Sequence, residues 1–146
     1  MSAASSRNTS TAVFWLVCIP VRTGLAALAF DLKDAQAKKV LTDERNNPRV
    51  QKKAALVGFG AAFAASQIAY STGYATRNKG VETGNKPIWW KTMRPVHALL
   101  WSSFVVLSLL PRSDAGPGND YHDLAWVPLA IDVGIGVVSW GIMSPP

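Results

Sequence analysis

The chain has 146 residues, 49% apolar and only 16% charged, where an ordinary soluble domain is nearer a quarter charged. The charge is nearly absent from four windows and concentrated between them, which excludes an ordinary water-soluble globule. The formal charge of +6 comes from basic residues that flank apolar runs, so it points to anionic lipid headgroups and not to nucleic acid. The single cysteine, Cys18, excludes an intrachain disulfide and a thiolate metal cluster, and His97 and His122 are too few and too far apart in the chain to announce a metal site.

Residues 1–11 are small and polar and read as a surface tail. The apolar run that follows contains Pro20 and Arg22, which makes it a poor signal peptide. Residues 12–30 form the first expected span; nineteen residues cover roughly 28 Å of helix, close to the thickness of the hydrocarbon layer. Pro20 is expected to kink it. Residues 31–53 are strongly charged, with Asp34 and Lys38 at the spacing that supports a helix. The first helix is therefore expected to run beyond the membrane to about residue 42, until Asn46, Asn47 and Pro48 break it.

Residues 54–76 carry no charge at all and are the second expected span. Gly58, Gly60, Ala61, Ala64 and Ala65 lie at intervals that let helices approach closely in lipid, although a plain alanine-rich bias gives the same letters. The loop 77–94 is basic and broken by Gly80, Gly84 and Pro87. Next come Trp89 and Trp90, then Lys91 and Arg94, then Pro95 and His97. This is the order of an interfacial collar: tryptophan settles where hydrocarbon meets water, with Lys and Arg outside it, and proline is tolerated in a first helical turn. The collar reads as an anchor to the interface, or as a grip on a lipid phosphate or an acidic partner. The third span is expected over 95–110 and the fourth over 124–143, with Asp132 near the middle of the fourth. The fold expected is thus all-α, an integral membrane bundle of four transmembrane helices forming one domain over 12–146, with both termini on one side. The two sides carry six and eight Lys and Arg residues, which leaves orientation open under the positive-inside rule.

Arg22 and Asp132 are the Asp, Glu, Lys or Arg residues that stand inside these windows. An ionised group at mid-bilayer costs at least about 2.5–3.5 kcal/mol, so such groups seek a partner or a wet cavity. Each lies eight residues from the same end of the bundle, Arg22 counted from Phe30 and Asp132 from Leu124, so both are about 12 Å deep. An Arg22–Asp132 pair fixing the register of the helices is the reading preferred. A proton or ion path through Arg22, Asp132 and His97 is the functional alternative, since histidine titrates near neutrality; His97, two positions inside its span, is also within reach of headgroups.

No enzyme is expected, and no cofactor or metal. Gly58-Phe59-Gly60 is not a dinucleotide loop, because no strand precedes it. Tyr121-His122-Asp123 has no nucleophile beside it and reads as a loop.

Three patches carry a resemblance: Phe14-Trp15-Leu16 with Cys18 to Arg22; Ile88-Trp89-Trp90 with Arg94 to Leu100; and Ala125-Trp126 with Ile131-Asp132-Val133 and Gly136. Together and in this order the chain resembles small multi-pass membrane proteins of large nucleocytoplasmic DNA viruses of algae and protists. The resemblance implies no activity. It implies a place, the internal host-derived membrane of an icosahedral virion, and a role as a minor capsid or membrane component that links bilayer to shell through residues 31–53 and 77–94. An accessory subunit of a respiratory or photosynthetic complex is the alternative, and a small channel or transporter a further one.

Overall fold

The computed structural model describes residues 12–41, 43–76, 89–111 and 121–143. The expected tail 1–11 and most of the basic loop 77–94 lie outside the described residues, as do the side chains of Trp89 and Trp90. The described residues are all-helical.

Helix α1 is Ile19–Asp31, entered through a π-helical turn at Phe14–Cys18. Pro20 has no N–H to return to the carbonyl four residues back. The ladder shifts, and Ile19 N–H bonds to Phe14 O five residues back, the wide turn by which a helix absorbs a defect. The helix stops at Asp31 and does not reach residue 42. Leu32 N–H closes on Leu28 O at 3.0 Å, and Lys33 and Ala35 make tighter turns on Phe30 O and Leu32 O. Short 3-10 turns at Ala37–Leu41 and Asp43–Asn46 follow. The physical reason is burial. A surface Asp–Lys pair at i,i+4 contributes only a few tenths of a kcal/mol to a helix. Folding the arm back against the bundle buries Leu32, Ala35 and Ala37, at about 25 cal/mol for each Å² removed from water.

Helix α2, Pro48–Ser71, opens with a side-chain cap. Asn47 Oδ1 accepts from Arg49 N–H at 3.0 Å and Pro48 takes the first helical position, where a missing N–H costs nothing. The helix begins six residues before the expected span and ends five residues short of it. Gly73, at φ +79°, turns the chain away at its end, a conformation open to glycine at no steric cost. Helix α3, Arg94–Leu109, follows a 3-10 turn at Trp89–Met93. It ends where Leu110 is extended ahead of Pro111, as proline requires of the residue before it. Helix α4, Val127–Met143, follows a 3-10 turn at Tyr121–Leu124.

In cross-section the helices lie in the order α1, α4, α3, α2, and α1 and α2 touch only briefly. The central pair, α3 and α4, therefore defines the core. On α3 the buried positions His97, Trp101, Phe104 and Ser108 are spaced four, three and four apart, which is one helix face. On α2 the matching stripe is Val50, Lys53, Val57, Gly60 and Ala64. Leu129 and Ala125 close the core from the α4 side.

Among the described residues three helical stretches are long and apolar enough to cross a membrane: Phe14–Asp31, Pro48–Ser71 and Tyr121–Ile142. Helix α3 alone has sixteen residues, about 24 Å. The distribution of polarity is inverted relative to a soluble domain. Leu16, Leu99, Val106, Val138 and Ile142 are exposed, whereas Lys53, Arg94, His97, His122 and Asp132 are buried. Charged side chains are almost never fully buried in soluble proteins unless paired.

Candidate functional site, a carboxylate shared by three helices

Asp132 lies on the inner face of α4 and is 1% exposed. Its two oxygens are held from two other helices. Arg22 of α1 places Nη1 3.1 Å from Oδ2, and His97 of α3 places Nδ1 2.5 Å from Oδ1. A carboxylate only accepts, so His97 Nδ1 carries the hydrogen and donates it. The arginine contact is electrostatic and lacks the alignment of a hydrogen bond. Arg22 and Asp132 carry opposite charges, and the imidazole supplies the aligned hydrogen bond to the acid among the described residues.

Local sequence explains how the three groups meet. The π turn before Ile19 resets the angular position of α1 just ahead of Arg22. Gly136, one turn beyond Asp132, borders the guanidinium; a Cβ there would lie 3.5 Å from Nη1, ordinary van der Waals contact. His97 is on the first turn of α3, four residues before Trp101.

The structure thus brings Arg22, Asp132 and His97 together. Counting residues placed Arg22 and Asp132 at one depth; His97 was grouped with them only as part of a path, or else as a headgroup contact, and its bond to Asp132 was not foreseen. Helix α3 starts within the bundle, and the turn Trp89–Met93 that precedes it packs against α4. The same fact corrects the collar. Arg94 is buried, with its guanidinium carbon 4.8 Å from the centre of the Tyr70 ring, while Lys91 is exposed. Arg94 therefore joins α3 to α2.

A second buried polar group lies at the opposite end of the same seam. Lys53 is fully buried, its Nζ 5.8 Å from the centre of the Phe104 ring, and it makes no hydrogen bond among the described residues. The charge of Asp123 bears on it, and Asp123 Oδ1 lies 3.9 Å from Nδ1 of the buried His122. His122 is thus an interior residue and not a surface loop histidine. Lys53 was missed because it follows Lys52 in a charged segment. The signal that reveals it is the spacing of three, four, three and four in Val50, Lys53, Val57, Gly60 and Ala64. Between the two polar groups the seam is filled by Trp101, Phe104 and Leu129. No three His, Cys, Asp or Glu side chains converge among the described residues.

Comparison with protein-family models, with curated proteins and with solved structures returns no match for this chain.

Proposed function

We propose that the chain is a structural integral membrane protein with four spans, whose interior charges fix the packing of the helices. One observation supports this reading: an apolar exterior encloses a carboxylate that an arginine and a histidine from two other helices approach, one on each oxygen. In lipid, apolar contact does not drive helices together, so polar contacts and close packing specify the bundle. Helix α3 serves as the fourth span. It sits between α2 and α4, both long and apolar enough to cross, and with the turn Trp89–Met93 its length reaches residues 89–109. Trp101, Phe104 and Leu129 fill the seam between the two polar groups, which favours a packed core over a path for ions.

The location we favour is the internal membrane of an icosahedral virion, and the resemblance of three sequence patches is what supports it. There the arm over 31–53 and the loop over 77–94 would meet shell proteins. The test has two stages. Alkaline carbonate extraction should leave the protein in the membrane pellet; release into the supernatant overturns the membrane reading. Mass spectrometry of purified virus particles, with cross-links from Lys33, Lys39 or Lys52 to shell proteins, tests the location; absence from the particle overturns the location alone.

A further inference from the structure

We propose that the groove between α1 and α4 is a binding site for an anionic phospholipid, with one acyl chain in the groove and the phosphate at Lys33 and Arg49. The inference rests on the membrane reading and adds a specific ligand to it.

The groove has a volume of about 440 Å³. It exists because the facing positions are small: Ala26 and Ala27 on α1 and Ala130 on α4 leave a floor with little side chain above it. Its mouth is aromatic. Phe30 and Trp126 meet edge to face with ring centres 5.1 Å apart, at the end of α1 where the chain leaves for the charged arm. Aromatic side chains of this kind, tryptophan above all, mark the level of the headgroups. From Phe30 the groove runs down to Thr23, seven residues or about 10 Å. Its inner end is at Thr23 and Val133.

The mouth is also cationic. Lys33 Nζ stands 4.7 Å from the centre of the Phe30 ring. The Arg49 guanidinium donates to the backbone carbonyl of Asp31, next to Phe30, so it is held at the same rim. Asp31 and Asp34 belong to this turn as well, and of the other cations in 31–53 Lys39 is paired with Glu44 and Lys53 is buried. The cations held at the aromatic rim are Lys33 and Arg49, and these are the groups a phosphate meets there. A second copy of the chain is the poorer occupant, because a two-fold contact across this groove brings Lys33 and Arg49 of each copy towards their own equivalents.

The experiment uses the full chain in phosphatidylcholine vesicles that contain either acyl-brominated phosphatidylglycerol or acyl-brominated phosphatidylcholine. Quenching of the fluorescence component that disappears in Trp126→Phe is measured. The anionic lipid should quench that component at several-fold lower mole fraction. Lys33→Gln and Arg49→Gln, both in the arm and outside the packed seam, should each shrink the preference about fivefold. Ala27→Leu, which fills the floor, should weaken quenching by both lipids. Equal quenching by the two lipids, or a preference that survives the double Gln variant, overturns the inference while the membrane reading stands. Loss of quenching by either lipid, together with disulfide-linked dimers of Ala27→Cys, assigns the groove to a second copy and overturns it too. A chain that does not enter the vesicles at all overturns both.

Discussion

The two ends of the central seam handle buried charge differently. At one end Asp132 has direct partners on both oxygens, Arg22 and His97, and three helices meet at that carboxylate. At the other end Lys53 is just as buried, yet among the described residues its ammonium faces the Phe104 ring and makes no hydrogen bond. A matched pair specifies geometry, because each partner must stand at one place to satisfy the other. A cation against a ring is held loosely, since the attraction to an aromatic face is about 0.5–2 kcal/mol and tolerant of direction. On the function proposed above, the Asp132 end sets the register of α1, α3 and α4, whereas the Lys53 end is a tolerated burial. The two ends should therefore respond to neutralisation with opposite signs.

The largest effect is expected at Asp132. Asp132→Asn removes the anion and leaves the Arg22 guanidinium in the seam without its counter-charge. Breaking a buried pair from one side typically costs about 3–5 kcal/mol. Thermal unfolding in detergent should show a large loss of stability for this variant, and the double variant with Arg22→Gln should recover a substantial part of it. A double variant no more stable than Asp132→Asn alone breaks the claim that the pair acts as a unit. His97→Leu should cost less, about 1.5–3 kcal/mol, the range for a hydrogen bond to a charged group. If it proves as damaging as Asp132→Asn, the imidazole is carrying register to the same degree as the ion pair.

Lys53→Met keeps the length of the side chain and removes the unpaired ammonium. Replacing a poorly compensated buried charge with an apolar group of similar volume is often neutral or stabilising by about 1–4 kcal/mol. The variant should therefore unfold at a higher temperature than the parent, in the same assay in which Asp132→Asn falls. A clear loss of stability for Lys53→Met abolishes the contrast between the two ends and means that the interaction with Asp123 outweighs the burial of Lys53.

What could be read from sequence follows the same division. The Arg22–Asp132 pair was legible because helix rise is constant and both residues could be counted from charged segments on one side. The apolar windows were legible for the same kind of reason: an uncharged run of 23 residues at 54–76 has few other uses. The arm after Asp31 was not legible. Its local spacing favoured a continuing helix, and only the burial of Leu32, Ala35 and Ala37 against other helices outweighs that. His97 was named beside Arg22 and Asp132, but its direct bond to Asp132 was not legible, because depth along one helix says nothing about where the next one starts. Lys53 escaped because it follows Lys52 at the end of a charged segment, while its neighbours in space are Phe104 and the core. In each miss a tertiary contact overrode a local rule that was sound in itself.

The smallest effect is at Gly60, and it bears most directly on the Lys53 end. A Cβ at Gly60 would lie 3.0 Å from Cδ1 and Cε1 of Phe104 and 3.3 Å from Cγ2 of Val105, so Gly60→Ala must push the ring that faces Lys53. Overpacking of this kind costs about 1–3 kcal/mol, offset by roughly 1 kcal/mol of helix propensity gained over glycine, which leaves a net loss of about 1 kcal/mol. Gly58→Ala, two residues away with nothing within 4 Å of its added Cβ, gains the propensity without the clash and serves as the control. The informative measurement is the cycle of Gly60→Ala with Lys53→Met. If the Phe104 ring stabilises the ammonium, displacing it should cost less once the ammonium is gone, with a coupling of about 0.5 kcal/mol or more. Strict additivity would mean that Lys53 is held by its position alone and that the ring beside it is only a neighbour.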